Sequence, residues 1–513
     1  MDRLTQDNID SFRWVLFSEF MSRNVSKDSG FALKTELLLG WGRVVFWGLF
    51  LTSTKGFGQS NSTRVPVPEE PAPKTVISMP STKQKSVFGQ VRFESMQYMT
   101  VLRDDPQLTN SQFLSGRVTG ASYDREPFSF NWAADVSAGT FFSLRQSYYS
   151  VQELYVSTPM TYRSHVSLGR KKYDWTEIDR VWALGVWQPR YAIDALRPED
   201  QGLTGLFVDH KGDGYQVVGF ASPIFIPTIG PDIREEDGQL QSDNRWFRPP
   251  SSQAGNIDLT YELRVGDVWE LMQQTSYALR VRVGDEDLGP WMGLAGGRKP
   301  TNDLLFQRCL RCVPTSGPAK FVVSPRVAMS DVVSADVGYQ FETWKISASY
   351  FEDRPELVLP PPDFAVQRFL PVKMYAAQVD WNVREILGRP LRVQFGYLRS
   401  VGNEIQDIES NGRLSDFTLF EDRFRFTHAA LASVMGEIMT IKARPLVSKL
   451  MFLREFEQEG SILQLEFQYQ WDRTWSFLAG MDSLGVDNPE SRDGFISDFR
   501  ANDRIYAGAS YVF

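Results

Sequence analysis

A base and a nucleophile fall close together in the window Ser164-His165-Val166-Ser167-Leu168-Gly169-Arg170. Side chains two residues apart on a strand share a face. His165 and Ser167 would then meet as general base and nucleophile, the arrangement that acyl-transfer hydrolysis requires. A third, orienting carboxylate would have to come from Asp174 or Asp179 in the loop expected next. The two cysteines, Cys309 and Cys312, form a single CxxC. One such pair lacks the two further ligands of a zinc site, and the chain's only histidines are His165, His210 and His428. In an oxidising compartment the expectation is a small loop disulfide between Cys309 and Cys312. The acidic groups Glu235–Glu236–Asp237, Asp285–Glu286–Asp287 and Asp482/Asp487 have no EF-hand spacing and read as solvated loops. No metal or cofactor is expected.

What positions these residues is a chain whose period is two. In 463–471, Leu463, Leu465, Phe467, Tyr469 and Trp471 alternate with Gln464, Glu466, Gln468 and Gln470. In 257–265, Ile257, Leu259, Tyr261, Leu263 and Val265 alternate with polar residues, and 128–136 behaves alike. Strands with one apolar and one polar face build either a half-wetted soluble sheet or a membrane barrel with an apolar outside and a polar lumen. The segments run about nine to twelve residues, the length of a tilted membrane strand and longer than the five or six usual in soluble sheets. Aromatics flank the tight turns: Trp471 and Trp475 at one, Phe341 and Trp344 at another.

The fold expected is therefore all-β, a transmembrane antiparallel β-barrel. Strands are predicted at 87–98, 112–123, 127–136, 145–156, 160–171, 203–210, 214–222, 256–265, 273–283, 319–341, 343–351, 372–383, 391–400, 424–436, 445–456, 461–471, 475–485 and 503–513, which makes 18, with 16 as an alternative. Short turns on one side alternate with long loops on the other, the longest at 172–202, 223–255 and 284–318. Connections 137–144 and 457–460 must be short loops on the long-loop side.

Composition agrees. Of 513 residues 42% are hydrophobic and 13% aromatic, with a net charge of -8. That charge argues against a nucleic-acid binder, and the apolar fraction argues against a disordered chain. Residues 1–58 read as an N-terminal extension and signal peptide: Lys34 and Arg43 precede or interrupt the apolar run 37–52, and Gly56 and Gly58 suit cleavage before Gln59. Residues 59–86 hold five prolines within 60–86 and read as a periplasmic linker, leaving 87–513 as the barrel.

The final strand places Ile505, Ala507, Ala509, Tyr511 and Phe513 on one face. It resembles the C-terminal strand of Gram-negative outer-membrane β-barrels, and the whole of 87–513 resembles the porin-like class in architecture. The resemblance implies an outer-membrane location, outer-membrane lipids and lipopolysaccharide as surroundings, assembly-machinery recognition through the strand ending at Phe513, and a homo-oligomer as one outcome. Residues 164–170 are also similar to the His-x-Ser-x-Gly-Arg stretch of outer-membrane phospholipases, with Leu168 standing where that pattern has Asn. The alternation turns Tyr162, Val166 and Leu168 to lipid and Arg163, His165, Ser167 and Gly169 to the lumen, whereas a bilayer lipase needs its nucleophile outside.

With the apolar face toward lipid, the lumen-facing set includes Arg92, Glu94, Arg163, Asp258, Glu262, Arg264, Arg280, Arg282, Asp380, Arg392 and Glu466. Both signs are present, as in a hydrated pore selecting by charge. An 18-stranded cylinder is too wide for wall side chains to fill, so a constriction must come from a loop, and 172–202, rich in Trp and Arg, is a candidate that fits packing into the lumen. The function expected is passive diffusion of small polar or charged solutes. The alternatives are a hydrolase using Ser167 and His165, or a closed barrel serving as surface receptor or adhesin.

Overall fold

The computed structural model describes residues 84–513 apart from 101–108, 125, 143–145, 251–252, 255–256, 285–287, 310–318, 387–388, 416–422 and 489–493. These described residues all belong to one compact unit, Pro68–Phe513. The segments read as signal peptide and most of the linker lie outside them.

Eighteen antiparallel strands form the wall. In chain order they are β1 (Gln84–Tyr98), β2 (Asn110–Tyr123), β3 (Asn131–Phe141), β4 (Gln146–Thr161), β5 (Ser164–Lys171), β6 (Leu203–Gly212), β7 (Tyr215–Ser222), β8 (Ser276–Gly284) and β9 (Gly289–Pro300). They continue as β10 (Met329–Gln340), β11 (Trp344–Pro355), β12 (Val372–Ile386), β13 (Arg389–Val401), β14 (His428–Ile441), β15 (Arg444–Glu455), β16 (Gly460–Gln470), β17 (Trp475–Val486) and β18 (Arg504–Val512). Each pairs with its neighbour in sequence, and β1 pairs with both β2 and β18, which closes the cylinder. Closure satisfies every ladder without an edge, the condition for strands in hydrocarbon.

The pleat divides the residues as the alternation requires. Val91 and Phe93 on β1, Leu279 and Val283 on β8, Phe395 on β13 and Ile505 on β18 point outward and are exposed. At the short-turn end, Trp344 and Trp381 lie 6.1 Å apart between ring centroids, and Trp475 and Tyr511 5.0 Å apart. A contiguous apolar exterior with aromatic rims has no place in water and fits a bilayer. No helix among the described residues is long and apolar enough to cross a membrane. Strands make the crossing.

The predicted count of 18 matches, but two errors compensated. Segment 256–265 is no wall strand: Ile257–Leu263 pairs in parallel with Ala319–Arg326 in a separate seven-stranded sheet. That sheet draws on residues 223–275, 301–328, 356–371 and 402–427, all long-loop connections, and has its own apolar centres around Leu259, Tyr261 and Val323 and around Leu305, Val366 and Phe369. Conversely, β9 falls inside the stretch read as loop 284–318. Its sequence, Gly289–Pro300, carries Gly289, Gly293, Gly296 and Gly297, so its apolar alternation is too sparse to register. The long strand predicted at 319–341 is two elements, Ala319–Arg326 in the loop sheet and β10 in the wall. The short connections on the long-loop side are found at 142–145 and 456–459.

Candidate functional site

The lumen is occupied by the connection 172–202, which crosses it from β5 to the opposite wall and returns to β6. Its short helix α1 (Glu177–Trp182) starts where the Thr176 hydroxyl accepts from the Ile178 amide at 3.3 Å, and ends at Ala183 in the left-handed region. The Asp179 carboxylate then accepts the Val186 and Trp187 amides at 2.8 and 2.9 Å, folding the chain back on itself. Burial raises the Asp179 carboxyl, against the pull of Arg190 and those two amides.

Apolar side chains of this loop make the main core of the molecule, inside the barrel. Trp175 and Trp187 stack at 4.8 Å. With Ile178 and Trp182 they pack on Phe207, Phe220, Phe351, Met374 and Leu398 of the wall. Polar contacts pin α1 to the far side. Asp336 on β10 accepts from the Thr176 hydroxyl at 3.0 Å and the Glu177 amide at 3.1 Å. Glu177 takes Lys345 at 2.8 Å and Arg180 reaches Asp380 at 2.9 Å. Burial would raise the Glu177 carboxyl, but Arg180 and Lys345 beside it hold it below the ordinary range.

The second half of the loop reaches β1, β17 and β18. Arg504 bridges Asp194 and Asp482, 2.7 Å from each. Arg197 lies 3.4 Å from Glu94 and 3.3 Å from Asp482, its guanidinium 3.9 Å from the Tyr506 ring centre. Burial works against the Asp194 carboxylate, yet Arg504 and Arg197 keep its pKa below the ordinary range. From above, Arg425 donates to the Ala183 carbonyl at 2.6 Å, and burial pushes its guanidinium down to about 9.

Between this loop and the wall of β1–β4 a cavity of about 130 Å³ remains. Its lining combines the charged Arg92, Arg117, Arg197, Asp194 and Glu199 with Met96, Phe113, Phe141, Tyr148 and Ile193. Asp135 binds Arg117 Nε at 2.7 Å, and Glu199 accepts from Gln152 at 2.7 Å. Loop carboxylates thus face wall guanidinium groups across the space.

Of the residues expected in the lumen, Arg92 lines this cavity and is ion-paired with Glu94, which is buried beside it on β1. Arg280 and Arg282 face inward on β8, the latter 4.5 Å from the Trp291 ring centre. Asp380 and Arg392 face inward 3.5 Å apart, and Glu466 accepts from the Tyr506 hydroxyl at 3.3 Å. Arg163 lies instead at the turn before β5, exposed and 2.9 Å from Asp213. Asp258, Glu262 and Arg264 are in the loop sheet outside the wall, where Glu262 pairs with Arg264 at 2.7 Å and Lys320 at 2.8 Å. Their strict alternation is real, but it belongs to a strand that crosses no bilayer. Cys309 is buried at the end of a loop strand and disulfide-bonded; Cys312 lies outside the described residues. His165 and Ser167 make no hydrogen bond to each other among the described residues. Ser167 is buried and takes Lys171 Nζ at 3.2 Å. Missed by sequence reasoning were Arg117, Asp194, Arg197 and Glu199, because partners across a lumen are set by closure rather than by spacing.

The closed strand ladder, the apolar exterior and the folded-in loop define the chain as an outer-membrane β-barrel of porin-like build. Among solved structures it is similar to OccD3 of Pseudomonas aeruginosa (9% identity, 84% of this chain and 93% of that chain, TM-score 0.42). It is also similar to OmpF of Salmonella typhi (11%, 84% and 98%, TM-score 0.38) and to OmpT of Vibrio cholerae (11%, 85% and 99%, TM-score 0.36). No protein-family model and no curated protein matches the sequence.

Proposed function

We propose that the chain is a passive outer-membrane channel for small polar or charged solutes, with its passage along β1–β4 beside the inserted loop. The observation that carries this reading is the cavity flanked by Arg92 and Arg117 on the wall and by Asp194 and Glu199 on the loop. Opposed charges across a narrow space orient a dipolar solute and admit ions of either sign along different sides. On this reading residues 37–58 direct export, the strand ending at Phe513 is the assembly signal, and self-association is expected. Ser167 and His165 are wall residues with no catalytic part, since Leu168, not Ser167, is the exposed neighbour on the lipid side.

Single-channel recording of the purified chain in planar bilayers tests the proposal: discrete conductance steps are expected. Silence at every voltage in a properly closed barrel would overturn it. The loop sheet favours a second reading, ligand capture at the mouth, because four connections share one hydrogen-bonded sheet. That reading predicts a silent barrel whose ligand binding is lost when 253–263 is replaced by a flexible segment.

A further inference from the structure

The stretch Ser164–Arg170 holds a second serine, and this one faces the outside. On β5 the buried Ser167 points into the lumen and Leu168 is exposed, so Ser164 shares the outward face of Leu168. On β6 Phe207 is buried inside and Val208 is exposed, which turns His210 outward as well. Register sets Ser164 directly opposite His210. Ser164 Oγ lies 2.8 Å from His210 Nδ1, and His210 Nε2 lies 3.2 Å from the hydroxyl of Tyr215, an exposed residue at the start of β7. Three neighbouring strands thus line up a hydroxyl, an imidazole and a phenol on the outer wall.

The order of these groups fixes a proton. The Ser164 hydroxyl donates only to an imidazole whose Nδ1 is bare; the ring proton then sits on Nε2, where the Tyr215 oxygen accepts it. Tyr215 therefore holds His210 in the tautomer of a general base, with its lone pair aimed at a nucleophile within reach. Ser164 and His210 are only half-buried, whereas Ser167 is sealed off. Depth follows from their surroundings. Tyr162 in the adjoining turn and Tyr215 are exposed at the short-turn end, and Leu168, Leu206 and Val208 continue the apolar wall beyond them. Tyrosines mark the boundary between hydrocarbon and headgroups, the level at which the acyl esters of a glycerophospholipid lie.

We propose that Ser164 and His210 form a hydrolytic site on the lipid-facing wall, acting on an acyl ester of a glycerophospholipid in the leaflet at the short-turn end. Ser164 Oγ bonds to the ester carbonyl carbon while its proton passes to His210 Nδ1. That proton moves to the glycerol oxygen as its bond to the carbonyl carbon breaks, leaving an acyl-serine. Water then bonds to the same carbon and gives a proton to His210, which returns it to Ser164 Oγ as the fatty acid leaves. Tyr215 is a positioning residue, acting through His210. The site takes its substrate sideways from the bilayer and uses neither the lumen nor the inserted loop, so it stands apart from solute passage.

The test is fatty-acid release from phosphatidylethanolamine in mixed micelles by the purified full chain, with a fluorophosphonate probe and peptide mass spectrometry to locate the reactive serine. Wild type is expected to release fatty acid and to carry the probe on Ser164. Ser164→Ala and His210→Gln should each lose about a hundredfold or more in rate, and Ser167→Ala should keep the wild-type rate. Tyr215→Phe should lower kcat with KM unchanged, a split that a merely structural role at the rim would not produce. Heat-modified migration checks that each barrel is closed. Release that persists undiminished in Ser164→Ala overturns the proposal, as does absence of release from closed wild-type barrels. Loss of release in Ser167→Ala with the probe on Ser167 would also overturn it, because the nucleophile would then lie on the lumen side.

Discussion

Trp187 shows how one residue fixes the lumen. It stacks on Trp175, is fully buried, and donates its indole N–H to Ser334 on β10 at 3.0 Å. Trp187→Ala should weaken loop docking by about 3–5 kcal/mol, the usual cost of removing a buried Trp. Larger and noisier conductance steps are expected from a barrel whose heat-modified migration is unchanged. The charged anchors predict a pH profile. Glu177 and Asp194 have depressed values, so their stabilisation is complete above the ordinary carboxylate pKa of about 4 and is lost as pH falls through the depressed values. Asp179 has a raised value and acts in the opposite sense, its ionised form being the costly one, so mild acidification favours the docked loop. Conductance recorded against pH should stay level on mild acidification and rise only below about pH 4. At the cavity, Arg117→Gln removes the cation that Asp135 binds and leaves the lining carboxylates Asp194 and Glu199 with one fewer cation. Reversal potentials should move toward cation preference, and an unchanged potential would place the current elsewhere.

At the scale of the element, the wall was legible and its contents were only partly so. Period two identifies strands wherever one face meets lipid, and 17 of the 18 predicted segments coincide with a wall strand or contain one. The exception, Ile257–Leu263, has the same alternation because any half-buried strand has it; the loop sheet buries one face on its own small core. Insertion of 172–202 was readable from its Trp and Arg content, but its landing place was not. A signal did exist in the wall. Phe207 and Phe220 are inward and apolar, on strands whose outward neighbours Leu206, Val208 and Ala221 are apolar as well, and such doubly apolar strands mark where something packs inside. The ladder hydrogen bonds of the wall run between wall strands alone. Replacing 174–200 with a short flexible linker should therefore leave a closed, heat-modifiable barrel that conducts severalfold more. Loss of closure in that variant would show that the core inside the lumen is needed for the wall itself.

For the whole molecule, the interior is unlike that of a simple water-filled cylinder. One half is packed by the loop's tryptophans, and the other keeps a cavity bordered by charge. The same division into halves recurs outside, where charged groups gather at the upper face of β9–β13 and neutral side chains cover β1–β4 at that level.

The seam between β1 and β18 has a consequence for how such a chain comes into being. Gly89 and Phe513 exchange two backbone hydrogen bonds, each 2.9 Å, and the Phe513 ring fills the space that a Cβ at Gly89 would need. These are contacts between residues separated by more than four hundred positions, and no local preference prepares them. Until they form, strands β1 and β18 are two raw edges, each able to template onto another chain. A polypeptide shortened by a single strand at either end would keep nearly all its ladders and still be unable to seal. The seam acts as proofreading of completeness, separating finished cylinders from fragments that remain sticky and open to proteolysis.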